Sequence, residues 1–230
     1  MSKVVNDDRR NSPAYSVAEA ARYLKLARAT LRSWVLGREY PRDNGLVKFR
    51  PLIHPPERKP AMLSFWNLIE AHVLRSLRTE HGVSIHALRE ALGYAEKQLN
   101  IRRLLLSDEL RTHAGRLLVD RYGALIDLSA SGQLAMRKML EEHLTRVEWD
   151  EWQFPVRLYP CTSGALRGTE RPIAIDANVA FGRPVLARVG VSTRAIAERL
   201  DAGESVSDLV ADYALTQSEI EQAVLYERAA

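Results

Sequence analysis

Cysteine occurs once in the 230 residues, at Cys161. A single thiol excludes an internal disulfide and a thiolate cluster for structural zinc, and fits a reducing compartment. No run approaches the ~20 apolar residues that a membrane-spanning helix needs. The opening Met-Ser-Lys-Val-Val-Asn-Asp-Asp-Arg-Arg lacks the apolar centre of a signal peptide. A cytoplasmic protein with no membrane partner is therefore expected. The histidines are scattered as His54, His72, His81, His86, His113 and His143. His81 and His86 miss the i, i+4 spacing that sets two metal ligands on one helix face. Glu141 and Glu142 are adjacent in an expected helix and so diverge. Gly164 and Gly168 form no phosphate-binding fingerprint. No serine elbow or cysteine–histidine nucleophile is visible. The expectation is no enzyme, no metal and no cofactor.

Charge is present, but unevenly. Residues 1–60 hold 13 Lys/Arg against 6 Asp/Glu, residues 61–172 hold 15 against 14, and residues 173–230 hold 5 against 9. The chain is basic at one end and acidic at the other, which points the two ends at different partners. The basic quarter has the sign that nucleic acid attracts.

Within it, residues 13–36 read as two short helices and a tight turn. Ser16 and Glu19 have capping-box spacing. Val17, Ala20, Ala21 and Leu24 share one face. The pattern breaks at Lys25-Leu26-Ala27 and resumes with Leu31, Trp34 and Val35 inward. Ala29 and Ser33 then point outward, with Thr30 and Arg32 on the shoulders. Such a pair is a helix-turn-helix, whose second helix enters the DNA major groove. Arg28 and Arg32 lie near the start of that helix, where a cation opposes the helix dipole by roughly 0.3–1 kcal/mol. A DNA partner explains them better than stability does.

Beyond Gly37, a helix stop, residues 38–45 read as turn chemistry. Residues 46–53 and Met62–Ser64 read as two strands, giving a β-hairpin wing over 46–63. Arg42, Lys48, Arg50, Arg58 and Lys59 would be available to phosphates, setting affinity rather than sequence choice. A strong helix is expected from about Ser64 to Glu80, and another from Ser84 to about Leu99. Short β-like runs follow at 110–112, 116–120 and 124–128. A helix is expected over 131–146, and a strand over 154–160. Trp34, Phe65 and Trp66 read as core. Trp149, Trp152, Phe154 and Tyr159 read either as an exposed contact patch or as the core that docks the middle onto the wing domain.

In the last stretch, Ile173–Asp176 and Val185–Val189 read as short strands before three compact helices. Ser192 starts the first. Ser205 with Asp208 and Thr216 with Glu219 are the caps of the second and third. The fold class is mainly α with small β elements. The domains are a loose 1–12, a winged helix-turn-helix over 13–100, a connecting region over 101–160, a linker over 161–172 and a C-terminal unit over 173–230.

Two stretches carry family resemblance. Ser-Val-Ala-Glu-Ala-Ala-Arg-Tyr-Leu with Ala-Thr-Leu-Arg-Ser-Trp resembles the winged helix-turn-helix of MerR-type regulators, over about residues 13–99. Unlike those proteins, the chain has no long dimerising helix after it. Phe-Gly-Arg-Pro-Val-Leu, Gly-Val-Ser-Thr, Ala-Gly-Glu-Ser, Asp-Leu-Val-Ala-Asp-Tyr, Leu-Thr and Glu-Ile follow one another in the order of the domain of unknown function 433. Arg188-Val189-Gly190-Val191 departs from that family's usual Gly-Thr step. The combination is similar to VapB-type antitoxins.

That resemblance implies an antitoxin of a type II toxin–antitoxin system. It would bind a PIN-like ribonuclease toxin encoded nearby and repress its own operon as a homodimer on double-stranded operator DNA. DNA contacts are expected from Arg28, Ala29, Thr30, Arg32, Ser33, Arg42, Lys48 and Arg50. Toxin or dimer contacts are expected from Phe181, Arg183, Val185, Arg188 and Arg228. The second and third of the C-terminal helices, joined by Tyr213-Ala214-Leu215, again make a helix-turn-helix shape, but Glu219 and Glu221 in the third helix make it a poor DNA reader. The alternatives are a MerR-like regulator responding to a small-molecule effector, without a toxin, and an adaptor that binds only protein.

Overall fold

The computed structural model describes residues 8–42, 45–79, 88–89, 92–93, 97, 103–106, 144–160 and 171–229, with the side chains of 40–48, 79 and 104 left aside. Among the described residues the architecture is mainly helical, with small antiparallel sheets.

The chain enters through β1 (Tyr15–Ser16) into α1 (Val17–Tyr23), then α2 (Arg28–Leu36). Ser16 closes the expected capping box: its hydroxyl accepts from Glu19 N at 3.2 Å while the Glu19 carboxylate accepts from Ser16 N at 3.0 Å. Such a cap is worth about 0.5–2 kcal/mol. Lys25 turns the chain between the helices with φ +52°. Leu31, Trp34 and Val35 of α2 are buried, as their spacing requires.

A hairpin follows directly, β2 (Arg38–Arg42) against β3 (Gly45–Phe49), with Arg38 opposite Phe49 and Arg42 opposite Gly45. The wing is therefore 38–49, not 46–63, and residues 38–42 are strand rather than turn. Two causes are visible. Gly37 has φ +78° and reverses the chain at once after α2. Pro41 is tolerated because both strands of a two-stranded ribbon are edges. Residues 51–53 then leave the sheet, and the amides of Leu52 and Ile53 both donate to the Trp34 carbonyl, at 2.7 and 3.1 Å. The strand β5 (Ala61–Leu63) pairs with β1 and with β4 (Glu57–Arg58), not with the wing.

Helix α3 (Phe65–Thr79) is the central beam. Ser64 and Asn67 cap it reciprocally, at 3.0 and 3.2 Å. Phe65, Trp66, Leu68, Ile69, Val73 and Leu74 are buried, each worth roughly 1.5–3 kcal/mol on full burial. Residues 88–89, 92–93 and 97, within the helix expected after Ser84, are helical. The β-like runs expected over 110–128 and nearly all of the helix expected over 131–146 lie outside the described residues.

The expected strand near 154–160 is β7 (Pro155–Leu158), and it belongs to a four-stranded sheet ordered β6-β7-β8-β9. Strand β6 (Val147–Trp149) is an addition to the sequence reading; β8 (Ile173–Asp176) and β9 (Val185–Leu186) were expected. The β7–β8 pairing joins the two sides of the expected linker. Strand β8 feeds two cores: Ile175 packs with the N-terminal helices, and Ile173 with the C-terminal ones. The C-terminal helices are α4 (Thr193–Asp201), α5 (Val206–Tyr213) and α6 (Gln217–Arg228). Ser205–Asp208 and Thr216–Glu219 both form capping boxes, as expected, whereas Ser192 caps α4 without a side-chain bond.

Candidate nucleic-acid interface and the C-terminal contact surface

Opposite the buried face of α2, Arg28, Ala29 and Arg32 are exposed, and Thr30 and Ser33 are half-exposed. The Ser33 hydroxyl donates back to the Thr30 carbonyl at 2.7 Å. Ala27 offers no side-chain cap, and no acid stands in the first turn of α2. The positive end of the helix dipole thus lies open beside Arg28 and Arg32, a local field that favours an anion such as phosphate.

The wing is held next to this helix from both ends. At Gly37 an added Cβ would lie 2.3 Å from the Phe49 carbonyl oxygen, so β3 passes against the end of α2. Arg89 donates to the Arg50 carbonyl at 3.0 Å and stacks its guanidinium 4.8 Å from the Phe49 ring centre. Arg50 is exposed just after β3; Arg42 and Lys48 lie on the hairpin backbone, opposite Gly45 and Glu39.

The turn between α1 and α2 is gripped from behind. Arg75 of α3 donates to the Leu24 carbonyl at 2.8 Å. From α6, the buried Tyr226 hydroxyl donates to the Tyr23 carbonyl at 2.7 Å. Lys25 Nζ donates to the Tyr226 carbonyl and lies 4.0 Å from that ring's centre. Burial drives the Lys25 ammonium down to about 8, with Glu227 opposing the shift. No signal in the sequence linked Tyr23 and Lys25 to Tyr226; the pairing spans most of the chain.

The expected C-terminal contact residues separate into groups. Phe181 is 91% exposed. It is held there by consecutive left-handed residues: φ is +48° at Ala180, +56° at Phe181 and +74° at Gly182. Gly182 is required, because a Cβ would stand 2.0 Å from the Tyr15 hydroxyl. Arg183 is exposed beside Phe181. Val185, in contrast, is buried with Tyr159 and Ala174, which corrects its assignment as a surface contact: strand β9 turns that side chain inward. Arg188 is occupied within the chain. Its guanidinium donates to both Glu219 carboxylate oxygens at 2.8 Å and to the Ala214 carbonyl at 2.7 Å. It thereby clamps the α5–α6 turn, and it holds the Glu219 carboxyl down to about 2. Arg228 pairs with Asp201 at 2.8 Å on the surface.

The aromatic cluster also divides. Phe154 stacks on Trp66 at 5.3 Å and 16°. Trp149 packs against the same core, Tyr159 is buried, and Trp152 is 70% exposed. Among the described residues no group of His, Cys, Asp and Glu could hold a metal ion, and no helix is long and apolar enough to cross a membrane.

Comparison with known proteins finds likenesses to two families, each over part of the chain. Residues 13–92 match the family described as "Putative DNA-binding HTH domain", and residues 173–226 match "Protein of unknown function (DUF433)". Along its length the chain resembles the VapB-type antitoxins. One curated relative is "Putative antitoxin VapB45" of Mycobacterium tuberculosis (strain ATCC 25618 / H37Rv), 28% identical over 231 residues, with 92% of each chain covered. The crystal structure of Rv2018 from Mycobacterium tuberculosis has the same fold, with a TM-score of 0.69 at 23% identity over 94% of this chain and 100% of that one.

Proposed function

We propose that this protein is the antitoxin of a type II toxin–antitoxin pair, binding a PIN-like ribonuclease toxin and repressing its own operon. The observation that carries the reading is the full-length likeness to an antitoxin relative, in a chain whose N-terminal unit presents an open, arginine-flanked helix α2 beside a wing.

In the DNA-bound state α2 enters the major groove of the operator. Arg28, Ala29, Thr30, Arg32 and Ser33 face the bases, while Arg42, Lys48 and Arg50 on and beside the hairpin meet phosphates. A homodimer reads a two-fold site, because one small domain binds weakly alone. The toxin is held from the C-terminal side, where Phe181 and Arg183 are free to meet it; an arginine complements the carboxylates of a metal-dependent ribonuclease. Arg188 and Arg228 act within the chain, so their contribution to the toxin contact is indirect. The protein itself performs no catalysis.

Co-purification with the product of the adjacent reading frame, with the mass of the complex measured by light scattering, tests this reading. A stable complex and ribonuclease activity in the neighbour alone support it. A second reading, an effector-responsive regulator, draws on a cleft of about 370 Å³ between α1, α4 and the Arg183–Pro184 segment. It is favoured only if the neighbour fails to bind.

A further inference from the structure

The antiparallel pairing of β7 and β8 sets Arg157 opposite Asp176 and Leu158 opposite Ile175. The β6–β7 turn, residues 150–154, therefore leaves the sheet at the same end as the segment that follows Asp176. Each of these two segments raises one large aromatic into solvent: Trp152 at 70% exposure and Phe181 at 91%. They are the two most exposed large hydrophobic side chains among the described residues.

Both segments are rigidly mounted. Asp150 accepts from the amides of Trp152 and Phe154 at 3.0 and 2.8 Å, and its other oxygen accepts from Arg10 at 2.7 Å. Phe154 is stacked on Trp66 in the core. On the other segment, Asp176 accepts from the Asn178 amide at 2.8 Å, and Gly182 is pressed against Tyr15. Left-handed residues occur in both, Gln153 in the first and Ala180 with Phe181 in the second. A side chain held out on a fixed backbone costs little ordering when it binds. Aromatic anchors of this kind dominate protein interfaces. Arg183 adds an exposed positive charge beside Phe181.

We propose that this end of the sheet, with Trp152, Phe181 and Arg183 as its anchors, is the docking face for the toxin. The matching surface is an apolar pocket for the two rings, bordered by a carboxylate for Arg183. This rests on the antitoxin reading and extends it, because the face is built jointly by the connecting region and the C-terminal unit.

Isothermal titration of the full-length chain with the purified product of the adjacent reading frame tests it. The variants are Trp152→Ala, Phe181→Asn, their combination, and Arg183→Glu. Asparagine is chosen because it tolerates the left-handed backbone. Each single substitution is expected to weaken binding at least tenfold, and the double more than a hundredfold, with unchanged melting temperatures. If the unaltered chain binds and the double variant binds within twofold of it, the face is wrong and the antitoxin reading stands. If the unaltered chain does not bind, that reading falls and takes the face with it. If light scattering shows the double variant losing a dimer that the unaltered chain forms, the occupant is a second copy, and the assignment to the toxin is overturned.

Discussion

The phenol of Tyr226 reaches back to the carbonyl of Tyr23 at 2.7 Å, joining the last helix to the turn of the helix-turn-helix. The tyrosine is buried, and burial holds its hydroxyl protonated well above the ordinary range. Replacing it by phenylalanine keeps the packing but strands a buried carbonyl. Tyr226→Phe is expected to cost about 1–3 kcal/mol, read as a lower urea midpoint with an unchanged denaturant slope. A midpoint equal to that of the unaltered chain would show that the bond contributes nothing net.

The Arg188–Glu219 pair gives a pH signature. The Arg188 guanidinium, aided by the Thr216 cap, lowers the Glu219 carboxyl from 4.5 to about 2 in the folded chain. The unfolded carboxyl takes up its proton at higher pH than the folded one. The stabilisation is thus complete above about 4.5 and is lost as pH falls toward about 2. Glu219→Gln is expected to lower the melting temperature at pH 6, and the deficit should shrink as the pH is taken down through that window. A deficit that does not change with pH would separate the pair from the acid response.

Gly37 sets the angle between α2 and the wing. With φ +78° and a Cβ position 2.3 Å from the Phe49 carbonyl oxygen, Gly37→Ala is both strained and obstructed. A loss of about 1–3 kcal/mol is expected, together with weaker operator binding, because β3 must move. Thermal melting and a gel shift on one sample distinguish the two effects.

Arg32→Ala touches only an exposed side chain of α2. It is expected to weaken operator binding by about 1–3 kcal/mol and to relax sequence preference at one position, with the melting temperature unchanged. Arg50→Ala, just outside the hairpin, should instead weaken all sequences alike and reduce the salt dependence. Equal gel-shift affinities for Arg32→Ala and the unaltered chain at fixed salt would remove α2 as the reading helix.

What could be read from the sequence was local. Ser16 with Glu19, Ser205 with Asp208, and Thr216 with Glu219 each place a cap within one turn, so three helix starts are legible residue by residue. The buried stripe Leu31-Trp34-Val35 follows from the helical period alone. What was missed depends on distant partners. Arg38–Arg42 became strand because β3 lies alongside it, and turn-forming residues such as Pro41 hid this. Val147–Trp149 needed β7 to be recognised. Arg188 looked available because Glu219 lies 31 residues on, and Val185 looked exposed because nothing local fixes which way a two-residue strand faces. The prominence of Phe181 arises from a backbone that non-glycine residues rarely adopt, and its sequence carries only Gly182 as a hint.

Neutralisation of a ribonuclease made beside it is the role we propose for this chain. The direct measurement is the RNA-cleavage rate of the purified product of the adjacent reading frame, titrated with the full-length chain. A fall to background at a fixed stoichiometric ratio is expected, with Phe181→Asn requiring higher concentrations to reach it. A cleavage rate that stays constant as the chain is added in excess would contradict it.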